Sequence, residues 1–361
     1  MKKFVLLLLA FVMCLTFVAC GEESDSGSKS DSKNKNNDKE SVSTEETITV
    51  PIAVDKTPVI VAGEKNVTDI CEFTVDYVKI TADVVPPTPD DWYSHYEADD
   101  GKVYVDFCVA YKNTDTTNIG ADETVTGKLY YNGKYEYTGF SMIEEGNRSD
   151  FTYSNITSIA PLSTEYVHYL FSVPKEVETS GAEIYLEMNI GGEDFKIIVR
   201  EGSSFVPEES NAQTDKKMGT VAQGEVVATE NAEFNVDYSN ITNDVVPKKP
   251  DDFYSHYEAD SGKVYVDICF AYKNTSSSSI SADDVFSAKL KYAEKYEYTG
   301  FSMIEENSRS DFTYTNITSV APLTTEYIHY LFEVPEEVKT STDSVVVTFT
   351  IDGNTYTYNV R

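Results

Sequence analysis

The side chains best suited to chemistry come in pairs. The chain has four histidines, and His256 and His329 follow His95 and His168 by 161 residues each. In "DDWYSHYEAD" and "DDFYSHYEAD" a histidine precedes acidic residues at alternate positions. An extended backbone would put His95, Glu97 and Asp99 on one side. Such a set can hold a divalent cation. The plainer reading, preferred here, is a solvated edge beside a glycine turn. His168 is expected on the outward face of its strand with Tyr166. No Ser, Cys or Asp motif lies near it in sequence, so a nucleophilic triad is not expected. Asp90-Asp91 and Asp122-Glu123 are loop carboxylates without calcium-loop spacing. Paired carboxylates for glycoside hydrolysis stay open. A whole active site copied in tandem is unusual, however, so no enzyme activity, metal or cofactor is expected.

The aromatic residues around those histidines are the better functional hint. Trp92, Tyr93 and Tyr96, with Phe253, Tyr254 and Tyr257 in the second copy, flank His95 and His256. Tyr and Trp are favoured contact residues. These eight positions are the ligand-contact candidates, although the aromatics would equally plug one end of a sandwich. Ser94, Glu144, Arg148 and Asp150 are unchanged between the copies. There are five cysteines. Cys14 and Cys20 stand in the N-terminal segment, and no Cys pair has zinc spacing. A Cys71–Cys108 bridge would exist in one copy only, because Ala232 stands where Cys71 has its counterpart. Small, half-buried free thiols are the preferred reading.

The elements that must carry these residues are themselves duplicated. The offset of 161 runs without a gap from Gly63 to the last residue. Roughly six positions in ten are identical, as in a recently duplicated unit. Each unit is long enough for its own core, so the expectation is two beads: 63–200 and 224–361. Residues 201–223 read as a polar linker. The stretch 47–62 has no counterpart in the second unit and reads as an extended arm or an extra edge strand, since Pro51 and Pro58 argue against a central one. Within a unit the apolar period is two. In "KVYVDFCVAYKN" Val103, Val105, Phe107, Val109 and Tyr111 share one face, and Tyr104, Asp106, Cys108 and Ala110 the other. That predicts a half-buried strand. Asn132-Gly133, Gly191-Gly192 and Asp352-Gly353 suit tight hairpins. Ala293-Glu294 does not, so that turn cannot alone set the register. No long amphipathic helix is expected. The fold class is all-β, two tandem sandwiches.

The N-terminus reads as an export signal. Lys2 and Lys3 precede an apolar run from Phe4 to Ala19 that is short for a bilayer-spanning helix. Ala19, Cys20 and Gly21 resemble a bacterial lipobox, although Phe17 stands where an aliphatic is usual. The resemblance implies a signal peptide over 1–19 and a diacylglyceryl group on Cys20. Residues 20–46 are polar and charged, and are expected to be a disordered tether. At about 26 residues its r.m.s. span is roughly 28 Å. The net charge of −32 makes nucleic acid an unlikely partner and leaves the lipid as the membrane contact.

"EADDGKVYVDFCVAYKNT", "YEYTGFSMIEE" and "IAPLSTEYVHYLFSVPKEV", in that order, resemble the immunoglobulin-like domains of clostridial surface lipoproteins. They are also similar to the fold of the mycobacterial immunoprotective extracellular protein. The resemblance spans both units and implies a fold and a location, not an activity. The functional expectation is a monomeric, lipid-anchored protein on the outer face of the cell membrane. Its two modules would bind an extracellular glycan, cell-wall or protein ligand. The alternative is a spacer or assembly component of the envelope.

Overall fold

The period-two runs become long antiparallel strands. The structure is a computed structural model and describes residues 57–202 and 219–361. The signal segment, Cys20, the tether, most of the arm and residues 203–218 lie outside them. The first repeat forms β1 (Lys65–Val67), β2 (Cys71–Thr81), β3 (Asp83–Val84), β4 (Tyr96–Glu97), β5 (Lys102–Asn113), β6 (Ile119–Gly120), β7 (Val125–Tyr131), β8 (Tyr135–Thr138), β9 (Phe140–Glu145), β10 (Asp150–Tyr153), β11 (Ser158–Ile159), β12 (Thr164–Pro174), α1 (Glu176–Thr179), β13 (Ile184–Ile190) and β14 (Glu193–Arg200). A large sheet runs β1-β2-β5-β12-β9-β10 and a small one β14-β13-β7-β8. The second repeat builds the same pair of sheets, with Ala232–Thr242, Lys263–Asn274 and Thr325–Pro335 central in the large one. The chain is an all-β sandwich protein, as its alternation predicts.

The inner faces of the two sheets make the core. Phe73, Val105, Phe107 and Phe171 from the large sheet meet Leu129, Leu186, Met188 and Phe195 from the small one. A separate cluster fills the second sandwich. The second repeat also touches the first, since Ala321 and Leu323 pack against the first core. Hairpin turns fall where glycine permits left-handed backbone, with Gly191 and Gly192 at φ 59 and 86. Asn132 and Gly133 turn at φ 55 and 63, and Ala293 and Glu294 keep that geometry at φ 50 and 56. Neither residue favours it, at a cost of roughly 1–2 kcal/mol each. Strand pairing, not that turn, therefore fixes the register there.

The strand reading needs one main correction. The centres of β5 and β12 are buried on both faces, not one. The loop 82–99, carrying β3 and β4, covers the outer face of the large sheet. Beneath it Val84, Met142, Phe151 and Leu170 form a second small core with Tyr96 and Tyr104. His168 does face that outer side, but it is fully buried there, with the Tyr77 and Phe151 rings edge-on to it.

The described end of the arm is an edge strand, one of the two forms expected of it, and it does have a counterpart. Val59 bridges in parallel to Lys196, and Ile60 is buried in the core. Gly219–Thr220 pairs in parallel with Tyr356 and Thr357, and Val221 is buried. Val221 is the counterpart of Ile60 at the same offset of 161. The described end of the arm is thus an edge strand with a second copy. Residues 219–223, expected as linker, belong to the second sandwich. The thiols of Cys71, Cys108 and Cys269 are free and buried. Cys71 lies in the inner core while Cys108 faces the outer side, so the bridge considered above does not form.

Candidate functional site

The outer face of the large sheet carries a buried ionic cluster built by four strands and a turn. β5 supplies Asp106 and Cys108, β12 Tyr166 and His168, and β9 Glu144. β2 supplies Asp76, Tyr77 and Lys79 around an irregularity in its pairing between Val75 and Tyr77. Bulges of this kind re-aim side chains. The turn 146–148 supplies Arg148, with Asn147 and Arg148 at φ 61 and 68. Left-handed residues in succession persist only where the surroundings hold them. Here the guanidinium is held by Glu144 at 2.5 and 3.0 Å and by Asp76 at 2.9 Å. It also lies 3.5 Å from the Tyr166 ring centroid.

His168 is the centre. Its Nδ1 is 2.7 Å from Asp106 Oδ1 and its Nε2 is 2.9 Å from Glu144 Oε1. Ionised carboxylates only accept, so both ring nitrogens donate and the ring is an imidazolium. Burial works against that charge, but bonds to Asp106, Cys108 and Glu144 outweigh it and push the pKa up to about 11. Burial also works to raise the Glu144 pKa, and bonds from His168 and Arg148 hold it below the usual value. Burial pushes the Cys108 thiol up. Lys79 Nζ stands 3.3 Å from Asp106 Oδ2, outside good hydrogen-bond geometry, and over the Tyr77 ring. Three carboxylates thus face three cations.

The second repeat keeps the histidine, the carboxylates and the arginine and places its lysine differently. His329 lies 2.8 Å from Asp267, and Arg309 bonds Glu305 and Asp237. Asn240 stands where the first copy has Lys79, and Lys248 where it has Pro87. The Lys248 ammonium lies over the Tyr238 ring at 4.6 Å, as Lys79 does over Tyr77. Its backbone N–H donates to Glu305 Oε1 at 2.8 Å, which a proline could not do. The shared carboxylate oxygen then stands further from His329 Nε2, at 3.3 Å.

Cys108, Glu144 and His168 place ligand atoms within 4.8 Å of one another. A metal there would need a deprotonated imidazole and a thiolate. His168 already spends both nitrogens on carboxylates, and Arg148 occupies Glu144. The cluster is closed upon itself, which suits a structural role.

The contact candidates divide. Trp92 and Phe253 are 91% and 80% exposed. Tyr93 and Tyr254 are exposed and lie edge-on to His95 and His256. Tyr96 instead packs on Phe140 and Phe151, and Tyr257 on Phe301 and Phe312. His95 Nδ1 meets Asp83 Oδ1 at 2.8 Å, and His256 meets Asp244 at 2.7 Å. The Asp244 bond raises the His256 pKa. His95, Glu97 and Asp99 do not converge, because β4 ends at Glu97 and Asp99 turns to Lys102. The unchanged polar residues hold the loop down. Ser94 N–H donates to Asp150 at 2.6 Å, and Thr88 donates to the Arg148 carbonyl. Sequence reasoning missed the buried cluster. Its signal was available: Asp106, Glu144, Arg148 and His168 all recur at the 161 offset.

No family model and no curated protein matches the chain. The chain is similar to a solved uncharacterised β-sandwich protein from Clostridium difficile 630, at 33% identity and TM-score 0.38, over 43% of this chain and all of that one. It is also similar to a conserved hypothetical protein from Bacillus anthracis, at 14% identity and TM-score 0.28, over 39% of this chain and 95% of that one.

Removing one member of such a cluster leaves buried charge uncompensated. His168→Gln is expected to cost about 3–5 kcal/mol in urea unfolding. The pH dependence has a fixed sign. The raised His168 pKa contributes stability that is full below 6.5 and is lost as pH rises towards about 11. The lowered Glu144 pKa contributes stability that is full above 4.5 and is lost on acidification. Unfolding midpoints measured from acid to alkaline pH should therefore peak between those values in wild type. The alkaline fall should be shallower in His168→Gln; an unchanged profile would contradict the assignment.

Proposed function

We propose that this chain is a lipid-anchored protein of the outer membrane face whose two immunoglobulin-like modules bind an extracellular ligand. The observation that carries the reading is the exposure of Trp92 and Phe253 at equivalent loop positions. A large ring as exposed as Trp92 is unfavourable in water unless something covers it. Both loops are fastened to the sheet below by Ser94–Asp150 and Ser255–Asp311 bonds. The rings are therefore presented with little ordering left to do on binding. A flat apolar ring beside a tyrosine and a His–Asp pair suits the face of an extracellular glycan, a cell-wall fragment or a protein. Two such loops on one chain add avidity where a ligand reaches both. The resemblance to clostridial surface lipoproteins and to the mycobacterial fold supports the location. Cys20 supports the anchor, and no helix among the described residues is long and apolar enough to cross a membrane. The second reading is a spacer or assembly component. The docking of the second sandwich on the first favours it.

The anchor is checked with labelled palmitate. Incorporation should occur in the wild-type chain and vanish in Cys20→Ala, with release from membranes; retention in that variant would contradict it. The binding surface is checked on arrayed glycans, cell-wall fragments and surface proteins. Trp92→Ala and Phe253→Ala should each weaken any interaction found by about 2 kcal/mol, roughly thirtyfold. Unchanged affinity in the double variant would move the site elsewhere.

A further inference from the structure

The two repeats meet through unlike surfaces. On the first, Lys102 Nζ reaches Glu326 Oε1 at 2.7 Å, and Asp99 accepts the Ser308 N–H at 3.2 Å. The edge strand β8 lies against the second repeat. Glu136 N–H donates to the Ser277 carbonyl at 2.8 Å, and Tyr137 OH donates to the Pro322 carbonyl at 3.1 Å. Leu323 packs on the first core.

Because the repeats share a sequence, each carries the half of this contact that it does not use. The second repeat has Asp260, Lys263 and the edge strand Tyr296–Thr299. Tyr296 is 47% exposed, whereas its counterpart Tyr135 is 3% exposed beneath the contact. The first repeat has Pro161, Leu162 and Glu165. Leu162 is 74% exposed, and its backbone already holds the left-handed φ of 64 that Leu323 shows at 60. Glu165 has its pKa raised by burial and forms no ion pair among the described residues, while its counterpart Glu326 pairs with Lys102. Lys263 is held meanwhile by Asp260 and by Glu333, which stands where the first copy has Ser172.

We propose that chains associate head to tail, the Lys263–Tyr298 edge of one docking on the Leu162–Glu165 turn of a second copy. The contact repeats the one inside the chain. It joins opposite charges, Lys263 to Glu165, and covers an edge strand that would otherwise stay open. An interface between unlike surfaces adds copies head to tail, into a ring where the rotation closes and into a line where it does not. This departs from the expected monomer and does not rest on the Trp92 or Phe253 rings.

The test uses the chain from Gly21 to Arg361, half of it labelled with nitrogen-15, in sedimentation velocity and zero-length carbodiimide cross-linking. Expected are sedimentation coefficients that rise with concentration and a mixed-isotope Lys263–Glu165 cross-link. The same-isotope Lys102–Glu326 link serves as the internal control. Leu162→Asp, at an exposed site, and Glu165→Lys should each abolish the rise, and Trp92→Ala should leave it intact. A wild-type chain that stays monomeric at every concentration overturns the proposal. So does association that survives both variants, or a mixed-isotope Lys102–Glu326 link, which would mean exchanged repeats.

Discussion

A protonated histidine fully inside a sheet must be matched charge for charge, and the architecture of each repeat follows from that demand. An uncompensated buried ion costs several kcal/mol. Asp106 and Glu144 flank the ring from either side, which leaves one net negative charge. Arg148 and the ammonium of Lys79 answer it, and Asp76 completes the set. The Arg148 turn takes up left-handed backbone in order to deliver its guanidinium. The loop 82–99 must then cover the cluster from water, and this buries β5 and β12 on both faces. The aromatic loop tip is exposed because the segment beneath it serves as the cover.

The two copies show which part of the arrangement is constrained. The histidine, its carboxylates and the arginine keep their places. The lysine differs: Lys79 stands on a strand beside Asp106, and Lys248 stands on the covering loop, each with its ammonium over the equivalent tyrosine. The same comparison exposes the surfaces of the repeats. Tyr135 and Tyr296, or Leu162 and Leu323, differ in burial only because one member of each pair meets the other repeat.

Much of the fold was legible in the residues. The alternation of Val103, Val105 and Phe107 located the core face of β5, and Gly191-Gly192 and Asp352-Gly353 located closing turns. The outer face of β5 was misjudged. Asp106 at the centre of a strand reads as solvated by composition alone, and only the fold of residues 82–99 shows what covers it. The second copy of the arm was missed for another reason. Ile60 and Val221 share a place but not a residue type, and a parallel edge contact of two residues leaves no periodicity to read. Trp92 and Tyr96 looked alike as contact candidates. One is exposed and the other is a wedge over Phe140 and Phe151, because β4 begins only at Tyr96.

The central claim is that the rings of His168 and His329 are cations. Nitrogen-15 correlation spectra of the imidazole groups test it directly. At neutral pH both ring nitrogens of each should carry a proton and exchange slowly with water. They should keep it well above 6.5, since the His168 pKa is pushed up to about 11 and that of His329 is raised in the same direction. A neutral ring at pH 7 on either histidine, with one nitrogen unprotonated, would contradict the account.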